Sequence, residues 1–379
     1  MSTKKLLGIL VPNAKTGRAL LALYRRHNPT GLKLICFTLS DIDWKRRRVS
    51  ALHRRRRRWA HSKFPLPRVI YNRCYEPDPL LLKRLEAEIG AGFLFNSINR
   101  LDKMDVHRIL SPALAPHLPD SEPHDEASAD RLLDLHRILY FKPIHGSRGI
   151  GVFRAELKAS GEIHLGNHYL LPSHIFEDRT RFHHQLRDLL GSSPCMVQSG
   201  IPALTLFGQY FDIRVLVQKN GNGEWTVTSA VSRIAAKGCF NTSIAERVVL
   251  TADVLKTVFL PERAKPLLAK IKAIGAAAAE RLDEAHERSF GELSVDLALD
   301  RAGHPWIIEV NGMPQNSLYS PFKQSKRAAY EFPLLYASHL LTRSSSPESE
   351  SSMAETSHEI TEAIPLPIAH LQNVPIALS

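Results

Sequence analysis

The segment from Phe290 to Pro314, FGELSVDLALDRAGHPWIIEVNGMP, constrains the fold of this chain more than any other. Apolar side chains alternate with other residues from Leu293 to Leu299, which predicts a strand, and the β-rich run from Trp306 to Val310 predicts a second one. The letters DRAGHP between them are turn residues. The segment therefore predicts an antiparallel hairpin late in the chain.

The register of this hairpin would bring three oxygen-bearing side chains together. If Leu299 faces Trp306, then Asp296 faces Glu309, and Asn311 lies on the same face as Glu309. Facing carboxylates are unfavourable without a compensating cation. Two carboxylates and an amide, with positions left for phosphate oxygens, suit Mg²⁺ held jointly by protein and nucleotide. We predict a site for Mg²⁺, with Mn²⁺ as the alternative ion; the other interpretation is an acidic hairpin edge that faces solvent.

A second pair of β-rich runs, from Leu139 to Phe153, flanks a glycine-rich loop. The loop residues of interest are Gly146, Ser147, Gly149 and Gly151. Glycines let backbone N–H groups approach phosphate oxygens closely, and Lys142 at the base of the loop could neutralise phosphate charge. The order G-x-x-G-x-G matches neither the dinucleotide-binding pattern nor the P-loop. The segment predicts a flap over nucleotide phosphates, or else a glycine-rich turn without a ligand.

Together, the two segments resemble the ATP-grasp superfamily, in which a lysine-based glycine-rich hairpin covers ATP and a late D…E-x-N hairpin binds magnesium. Four stretches are similar to the YheC/YheD group of endospore coat-associated ATP-grasp proteins: YNRCY from Tyr71, LDKMDVHRIL from Leu101, FDIRVLVQKNGNGEWTVTSAVSRIA from Phe211, and FGELSVDLALD from Phe290. The likeness spans roughly residues 6–341. It implies an α/β protein of α+β lobes, an ATP-grasp fold preceded by an N-terminal α/β lobe.

The resemblance also implies roles for residues outside the two hairpins. The ATP contacts would be the phosphate lysines Lys103 and Lys142, the adenine-contacting hinge residues Gln198 and Ile201, and the ribose-side acid Asp212. The catalytic candidates, facing the phosphates or an acyl intermediate, would be Arg214 and Arg233. From the residues alone, Lys103 could be a solvated side chain at a helix start, and Asp212 and Arg214 could form only an ion pair on one strand face.

The implied activity is an ATP- and Mg²⁺-dependent carboxylate–amine ligase that acts through an acylphosphate on a small-molecule or peptide carboxylate. The alternative is a non-catalytic ATP-binding or structural, spore-associated protein. One departure from related proteins concerns the acceptor end of the site, in KGCFNTSIAERVVL from Lys237. Asn241 can serve as the polar loop residue, but Ala245 and Glu246 stand where glycines are expected, so this loop has less backbone freedom.

We expect three lobes and a tail. Residues 1–100 would form the N-terminal lobe, 101–200 a central lobe with the glycine-rich hairpin, and 201–341 a lobe with the magnesium hairpin, while 342–379 have the composition of a disordered tail. A long helical stretch from Pro261 to Glu287 contains Pro266 and Gly275, which could bend or divide it.

The formal charge of +12 is concentrated in WKRRRVSALHRRRRRWAH, from Trp44 to His61, where we expect a helix. Its run Arg54–Arg58 could contact a polyanion, or the helix could simply be solvated. Four scattered cysteines fit free thiols in the cytoplasm, and association with spores is implied by the resemblance alone. No apolar run is long enough to span a membrane, and no feature specifies an oligomeric state.

Overall fold

The computed structural model of the chain describes residues 5–56, 58–146, 149–287 and 290–343, whose strands form three sheets. The seven strands of the first sheet are β1 Leu6–Leu10, β2 Lys33–Phe37, β3 Ile42–Asp43, β4 Arg48–Arg55, β5 Arg58–Pro65, β6 Val69–Asn72 and β7 Leu94–Phe95. Strands β2, β1, β6 and β7 are parallel neighbours, and helices α1 Ala14–Arg26 and α2 Pro79–Ile89 belong to this part of the chain. The apolar run of β1 is buried at every position, as in parallel sheets covered on both faces.

The predicted helix in the arginine-rich segment is wrong, because β4 and β5 form an antiparallel hairpin there. Val49, Ala51 and His53 are buried at every second position, which is the period of a strand. Arg56 lies in the turn with φ at 44°, so the backbone reverses where the prediction continued a helix. Arg57 lies outside the described residues.

The six strands of the second sheet are β8 Ser121–Pro123, β9 Ile138–Pro143, β10 Phe153–Leu157, β11 Ile163–Asn167, β12 His174–Phe176 and β13 Cys195–Ser199. Three helices accompany it: α3 Lys103–Leu114, α4 Glu126–His136 and α5 Arg179–Leu190. Strand β9 lies between β10 and β13 and pairs antiparallel with both. The glycine-rich loop therefore joins two adjacent strands, as predicted.

The six strands of the third sheet are β14 Thr205–Leu206, β15 Gln209–Lys219, β16 Trp225–Ala235, β17 Ala245–Leu250, β18 Glu292–Leu299 and β19 Pro305–Asn311. Its helices are α6 Thr251–Val258, α7 Pro261–Ala285 and α8 Lys323–Arg343. Helix α7 is a single helix of 25 residues, so Pro266 and Gly275 do not divide it. A Cβ on Gly275 would lie 2.8 Å from Val215 Cγ1, so glycine permits the close approach of α7 to β15.

All eight residues of β18 are buried, although Glu292, Ser294 and Asp296 are polar. Leu293, Val295 and Leu297 join the apolar core beneath α7. The opposite face of the strand carries Ser294 and Asp296, so polar groups are buried on that side. Strand β18 thus faces an apolar core on one side and carries buried polar groups on the other, and the candidate site lies on the polar side.

The three sheets belong to one compact unit that ends at Leu341, and the lobe boundaries near residues 100 and 200 remain predictions. Residues 344–379, most of the predicted tail, lie outside the described residues. Within the described ranges, none of the helices is long and apolar enough to cross a membrane.

Candidate functional site

The acidic hairpin has the predicted pairing at the end that carries the candidate residues. Asp296 lies opposite Glu309, and Ser294 lies opposite Asn311. The expectation that Leu299 faces Trp306 is wrong: Leu299 faces Pro305, because a register shift after Asp296 adds one residue to β19. This irregularity is a β-bulge, which bends a strand locally without changing the pairing beyond it.

Asp296 is neutralised by two arginines. Arg214 Nε and Nη2 each donate to one Asp296 carboxylate oxygen at 2.6 Å, and Arg233 Nη2 donates to Oδ2 at 2.9 Å. Burial alone would raise the pKa of the Asp296 carboxyl, but the two guanidinium groups outweigh burial and hold this pKa below its usual range. Protein side chains therefore supply part of the positive charge that the facing acids require.

Asp212 belongs to the same charge cluster. It accepts two hydrogen bonds from Arg233, through Nε at 2.8 Å and through Nη2, and a third from the Thr242 hydroxyl. The ion pairs thus run across neighbouring strands, and no ion pair forms between Asp212 and Arg214 along β15. Arg233 bridges Asp212 and Asp296, which were predicted to have separate functions. Thr242 was not predicted, since a loop threonine carries no sequence signal of its own.

The two predicted lysines come from the second sheet and its first helix. Lys103 is the first residue of α3, after the N-cap Asp102, and its Nζ lies 3.0 Å from Gly146 O and 3.3 Å from Glu309 Oε1. Lys142 lies on β9, where its Nζ donates to Gln198 Oε1 at 2.5 Å. Lys103 therefore pairs with an acid of the third sheet and is only partly exposed to solvent.

Lys142 lies close enough to Glu309 and Lys103 for both to affect its pKa. Burial lowers the pKa of the Lys142 ammonium from 10.5 to about 8, with Glu309 raising it and Lys103 lowering it. A pKa near 8 leaves most of the side chain charged at neutral pH. An anionic ligand beside Nζ would favour the charged form further.

The glycine-rich loop meets the third sheet. Gly149 and Gly151 have φ values of 70° and 71°, which favour glycine, whereas Gly146 does not require positive φ. A Cβ on Gly149 would lie 2.7 Å from Ser243 Cβ, in the loop after β16. Ser243 Oγ lies 2.9 Å from His168 Nδ1. Ser147 and Arg148 lie outside the described residues.

The predicted hinge residues lie where the chain leaves the second sheet. Gln198 is on β13, where its amide contacts Lys142 and donates to Ser121 Oγ at 3.0 Å. Ile201 follows the end of β13, and its carbonyl accepts from Ala203 N at 2.7 Å. Leu204 N then donates to Leu299 O at 2.7 Å, which attaches the connection to the acidic hairpin.

Ala245 and Glu246, which stand where related proteins are expected to have glycines, lie in a strand. Ala245 begins β17, which pairs with β16, so Ala245 and Glu246 are strand residues and not part of a free loop. The Glu246 carboxylate accepts from Gln209 Nε2 at 2.7 Å. Asn241 Oδ1 accepts from Ser243 N and Oγ, which fixes the loop before the strand.

Several buried polar atoms on this face have no hydrogen-bond partner among the described residues. They are Ser294 Oγ, Asn311 Nδ2 and Tyr319 OH. Tyr319 lies close enough to Arg214 and Asp296 for both to shift the pKa of its phenol, although burial is the largest cause of the raised pKa. The N–H groups of Asn311 Nδ2 are therefore available to an acceptor atom of a ligand, and neither Ser294 nor Tyr319 was predicted.

Few side chains at this site could ligate a metal ion. The described residues contain no group of three or more His, Cys, Asp or Glu side chains placed to hold an ion. The register places Asp296, Glu309 and Asn311 on this face, on neighbouring strands. Two carboxylates and an amide oxygen suit a hard cation whose remaining ligands come from elsewhere.

Comparisons with known proteins agree with this architecture. A family model described as YheC/D like ATP-grasp matches residues 92–340, more than half of the chain. Two Bacillus subtilis relatives, the endospore coat-associated proteins YheD and YheC, are 26% and 25% identical to the chain. Each alignment covers 85% of this chain, with 74% of YheD and 92% of YheC.

Solved structures show the same fold at low identity. The D-alanyl-alanine synthetase A of Vibrio cholerae has a TM-score of 0.53 at 14% identity, covering 90% of this chain and 100% of that one. The VanG D-Ala:D-Ser ligase of Enterococcus faecalis has a TM-score of 0.52 at 13% identity, with 89% and 97% covered. The ATP-grasp ligase PsnB has a TM-score of 0.51 at 13% identity, with 89% and 98% covered. The chain belongs to the YheC/D-like ATP-grasp family.

Proposed function

We propose that this protein is an ATP- and Mg²⁺-dependent ligase that joins a carboxylate to an amine through an acylphosphate. The observation that carries the proposal is the meeting of two lysines, one on α3 and one on β9, with two acids of the third sheet. Lys103 Nζ lies 3.3 Å from Glu309 Oε1, and Glu309 faces Asp296. Ammonium groups opposite a metal-binding acid pair are what phosphoryl transfer requires, because charge on the phosphates must be neutralised from both sides.

The nucleotide would lie between the second and third sheets. Lys103 and Lys142 would contact its phosphate oxygens, and the loop containing Gly149 would cover them. Mg²⁺, held by Asp296, Glu309 and Asn311, would supply Lewis-acid neutralisation of the phosphates. The fold relative PsnB was solved with a precursor, Mg and ADP, which supports the same ligand class here.

The arginines would act on the transferred phosphoryl group. Arg214 and Arg233 use Nε and Nη2 for Asp296 and Asp212, and neither donates from Nη1 to these two acids. We assign Nη1 of each guanidinium to oxygens of the phosphoryl group and of the acylphosphate. The acids would hold both groups in place, since a guanidinium fixed in advance needs little reorganisation during transfer.

The substrates would be a small-molecule or peptide carboxylate and an amine nucleophile. The names of fold relatives, among them D-Ala:D-Ser ligase, support this class for the chain. Cytoplasmic location is supported by the four cysteines, all of which are free thiols.

A second candidate function is a non-catalytic, ATP-binding component associated with spores. Two observations favour it: the relatives are named endospore coat-associated proteins, and both carboxylate oxygens of Asp296 are already engaged by arginines. The strand position of Ala245 and Glu246, where family members are expected to have glycines, is compatible with a lost acceptor site.

A screen for ADP release distinguishes the two candidates. The full chain would be incubated with Mg²⁺-ATP and pools of amino acids, peptides and cell-wall precursors, while calorimetry measures ATP binding separately. Turnover that depends on one pool and is lost in Glu309→Gln supports the ligase. Tight ATP binding with no turnover in any pool supports the structural component. Absence of ATP binding contradicts both candidate functions.

A further inference from the structure

The closed end of the β4–β5 hairpin is a basic surface that the proposed catalytic function does not use. We define the arginine ribbon as Arg54, Arg55 and Arg58, which are all exposed. Arg54 pairs across the hairpin with Trp59, and Arg55 pairs with Arg58. Among the described residues, the pairing of β2 with β4 is limited to Cys36–Leu52, so the ribbon extends past the strands that flank β4.

The positive charge of this ribbon is not neutralised within the described structure. Residues 44–63 contain no Asp or Glu. Arg46 and Arg47, at the base of the hairpin, pair with Asp43 and Glu88. Among the described residues, no ion pair involves Arg54, Arg55 or Arg58. Charged side chains can protect an edge strand from pairing with another molecule, but that purpose does not require arginines on both strands of a turn.

The geometry selects among anionic partners. Directly opposed residues share a face, so Arg54 lies on one face of the ribbon and Arg55 with Arg58 on the other. A flat membrane could contact only one face at a time. Membrane binding by insertion also requires exposed apolar side chains, and Trp59 is half-buried, with Arg18 and Arg54 over its ring.

A duplex nucleic acid meets these constraints. Its major groove admits a two-stranded β-ribbon, with phosphates along both walls. Guanidinium groups bind phosphate oxygens with two parallel hydrogen bonds, which ammonium groups cannot do. We propose that the arginine ribbon binds the phosphate backbone of duplex nucleic acid. Because the contacts are with phosphates, binding should depend steeply on salt and little on base sequence.

The test uses the full chain and a fluorescein-labelled duplex DNA in anisotropy titrations, over about 50 to 200 mM salt. The variant is Arg54→Gln/Arg55→Gln/Arg58→Gln. Its matched control, Arg131→Gln/Arg187→Gln/Arg281→Gln, removes the same charge from exposed arginines that pair with acids elsewhere. We expect the ribbon variant to bind at least about tenfold more weakly and to lower the salt slope by about 3, one unit for each lost phosphate contact. The control should change affinity by no more than about twofold.

A second variant, Arg55→Gln/Arg58→Gln, keeps the contact between Arg54 and Trp59 and guards against misfolding of the hairpin. Thermal unfolding and Mg²⁺-ATP binding should be unchanged in it, while duplex binding falls. Three results would overturn the proposal: no duplex binding by the natural chain at low salt, equal losses in the ribbon and control variants, or tighter binding to phosphatidylserine vesicles than to the duplex. None of these outcomes bears on the ligase proposal, because the ribbon lies outside that site.

Discussion

At the scale of single residues, the site is a network of charges whose members come from three adjacent strands. Arg233 on β16, Asp212 and Arg214 on β15, and Asp296 on β18 alternate in sign across the sheet. Each of these acids touches at least one guanidinium, so both have a charge partner before any ligand binds. Among the described residues, Glu309, on the next strand, has one ion-pair partner, the partly exposed Lys103, and it is the acid most available to a cation.

Glu309→Gln should weaken Mg²⁺-dependent ATP binding without unfolding the protein. A charge-assisted ligand contact contributes about 1.5–3 kcal/mol, so we expect a loss of about 10- to 100-fold in affinity. The side chain is 28% exposed, and stability should change little. Calorimetry with and without Mg²⁺ measures the effect, with Glu122→Gln as the control on an exposed ion pair. If the magnesium dependence of Glu309→Gln matches that of the natural chain, Glu309 is not a ligand.

Lys142 should give the site a pH dependence. Its pKa of about 8 means that the free protein loses this charge as pH rises through 8, so ATP affinity should fall there. The stability effect has the opposite sign: between about 8 and 10.5 the unfolded chain binds more protons, so this lysine's contribution to folding stability rises with pH. Lys142→Met should bind ATP more weakly at pH 7 and remove both pH effects. If the natural chain and the Lys142→Met variant had identical pH profiles in calorimetry and in urea unfolding, Lys142 would not be the source of the pH dependence.

At the scale of elements, the glycine-rich hairpin is held against the third sheet. His168 O accepts from Phe240 N at 2.9 Å, and Leu170 N donates to Gly238 O at 2.8 Å. These bonds join the loop after β11 to the loop after β16, beside the contact of Gly149 with Ser243. We therefore expect closure of the hairpin over a ligand to require a residue without a side chain at position 149, because a Cβ there would clash with Ser243.

Gly149→Ala should weaken Mg²⁺-ATP binding by about tenfold, whereas Gly161→Ala should leave it unchanged. Both glycines have positive φ, so both substitutions incur backbone strain of about 1–3 kcal/mol. Only at Gly149 would the new Cβ meet another group, and Gly161 has no neighbour within 4 Å. Comparing the two variants by calorimetry and thermal unfolding thus separates the effect of hairpin closure on ATP binding from the effect of backbone strain. Equal ATP affinity in the two would refute the role of the hairpin in closure.

At the scale of the whole molecule, the first sheet supports the acidic hairpin. Arg73, after the end of β6, donates to the buried carboxylate of Glu292 at 2.6 Å and to Pro314 O at 3.1 Å. Asn96 Nδ2 donates to Gly312 O at 2.7 Å. The N-terminal part of the chain therefore forms hydrogen bonds at the start of β18 and just after the end of β19, the two strands that carry Asp296 and Glu309.

Removing one member of this buried pair should destabilise the protein strongly. Arg73→Met leaves the Glu292 carboxylate without its ion-pair partner, and we expect a loss of about 3–5 kcal/mol in the free energy of unfolding. Arg46→Gln, which breaks an exposed pair with Asp43, should cost about 0–1 kcal/mol. Urea unfolding measures both. A similar small loss in the two variants would show that the first sheet does not support the site through this pair.

The sequence by itself determined the features that depend on local periodicity and turn chemistry. The glycine-rich loop joins two adjacent strands, and Asp296 faces Glu309, as expected. These succeed because alternation and turn residues are properties of neighbouring positions. The arginine-rich segment was mistaken for a helix, since its charged run hides the alternate burial of Val49 and Ala51.

Only the tertiary structure decided how the charges of the site are balanced. Arg214 and Asp296 are 82 positions apart, and they pair because β15 and β18 are neighbours in the sheet. The pairing of Lys103 with Glu309 likewise depends on how the second sheet packs against the third. Strand order follows from the burial of whole apolar faces, which no local pattern encodes, so the partners of each charge were fixed only when the sheets packed together.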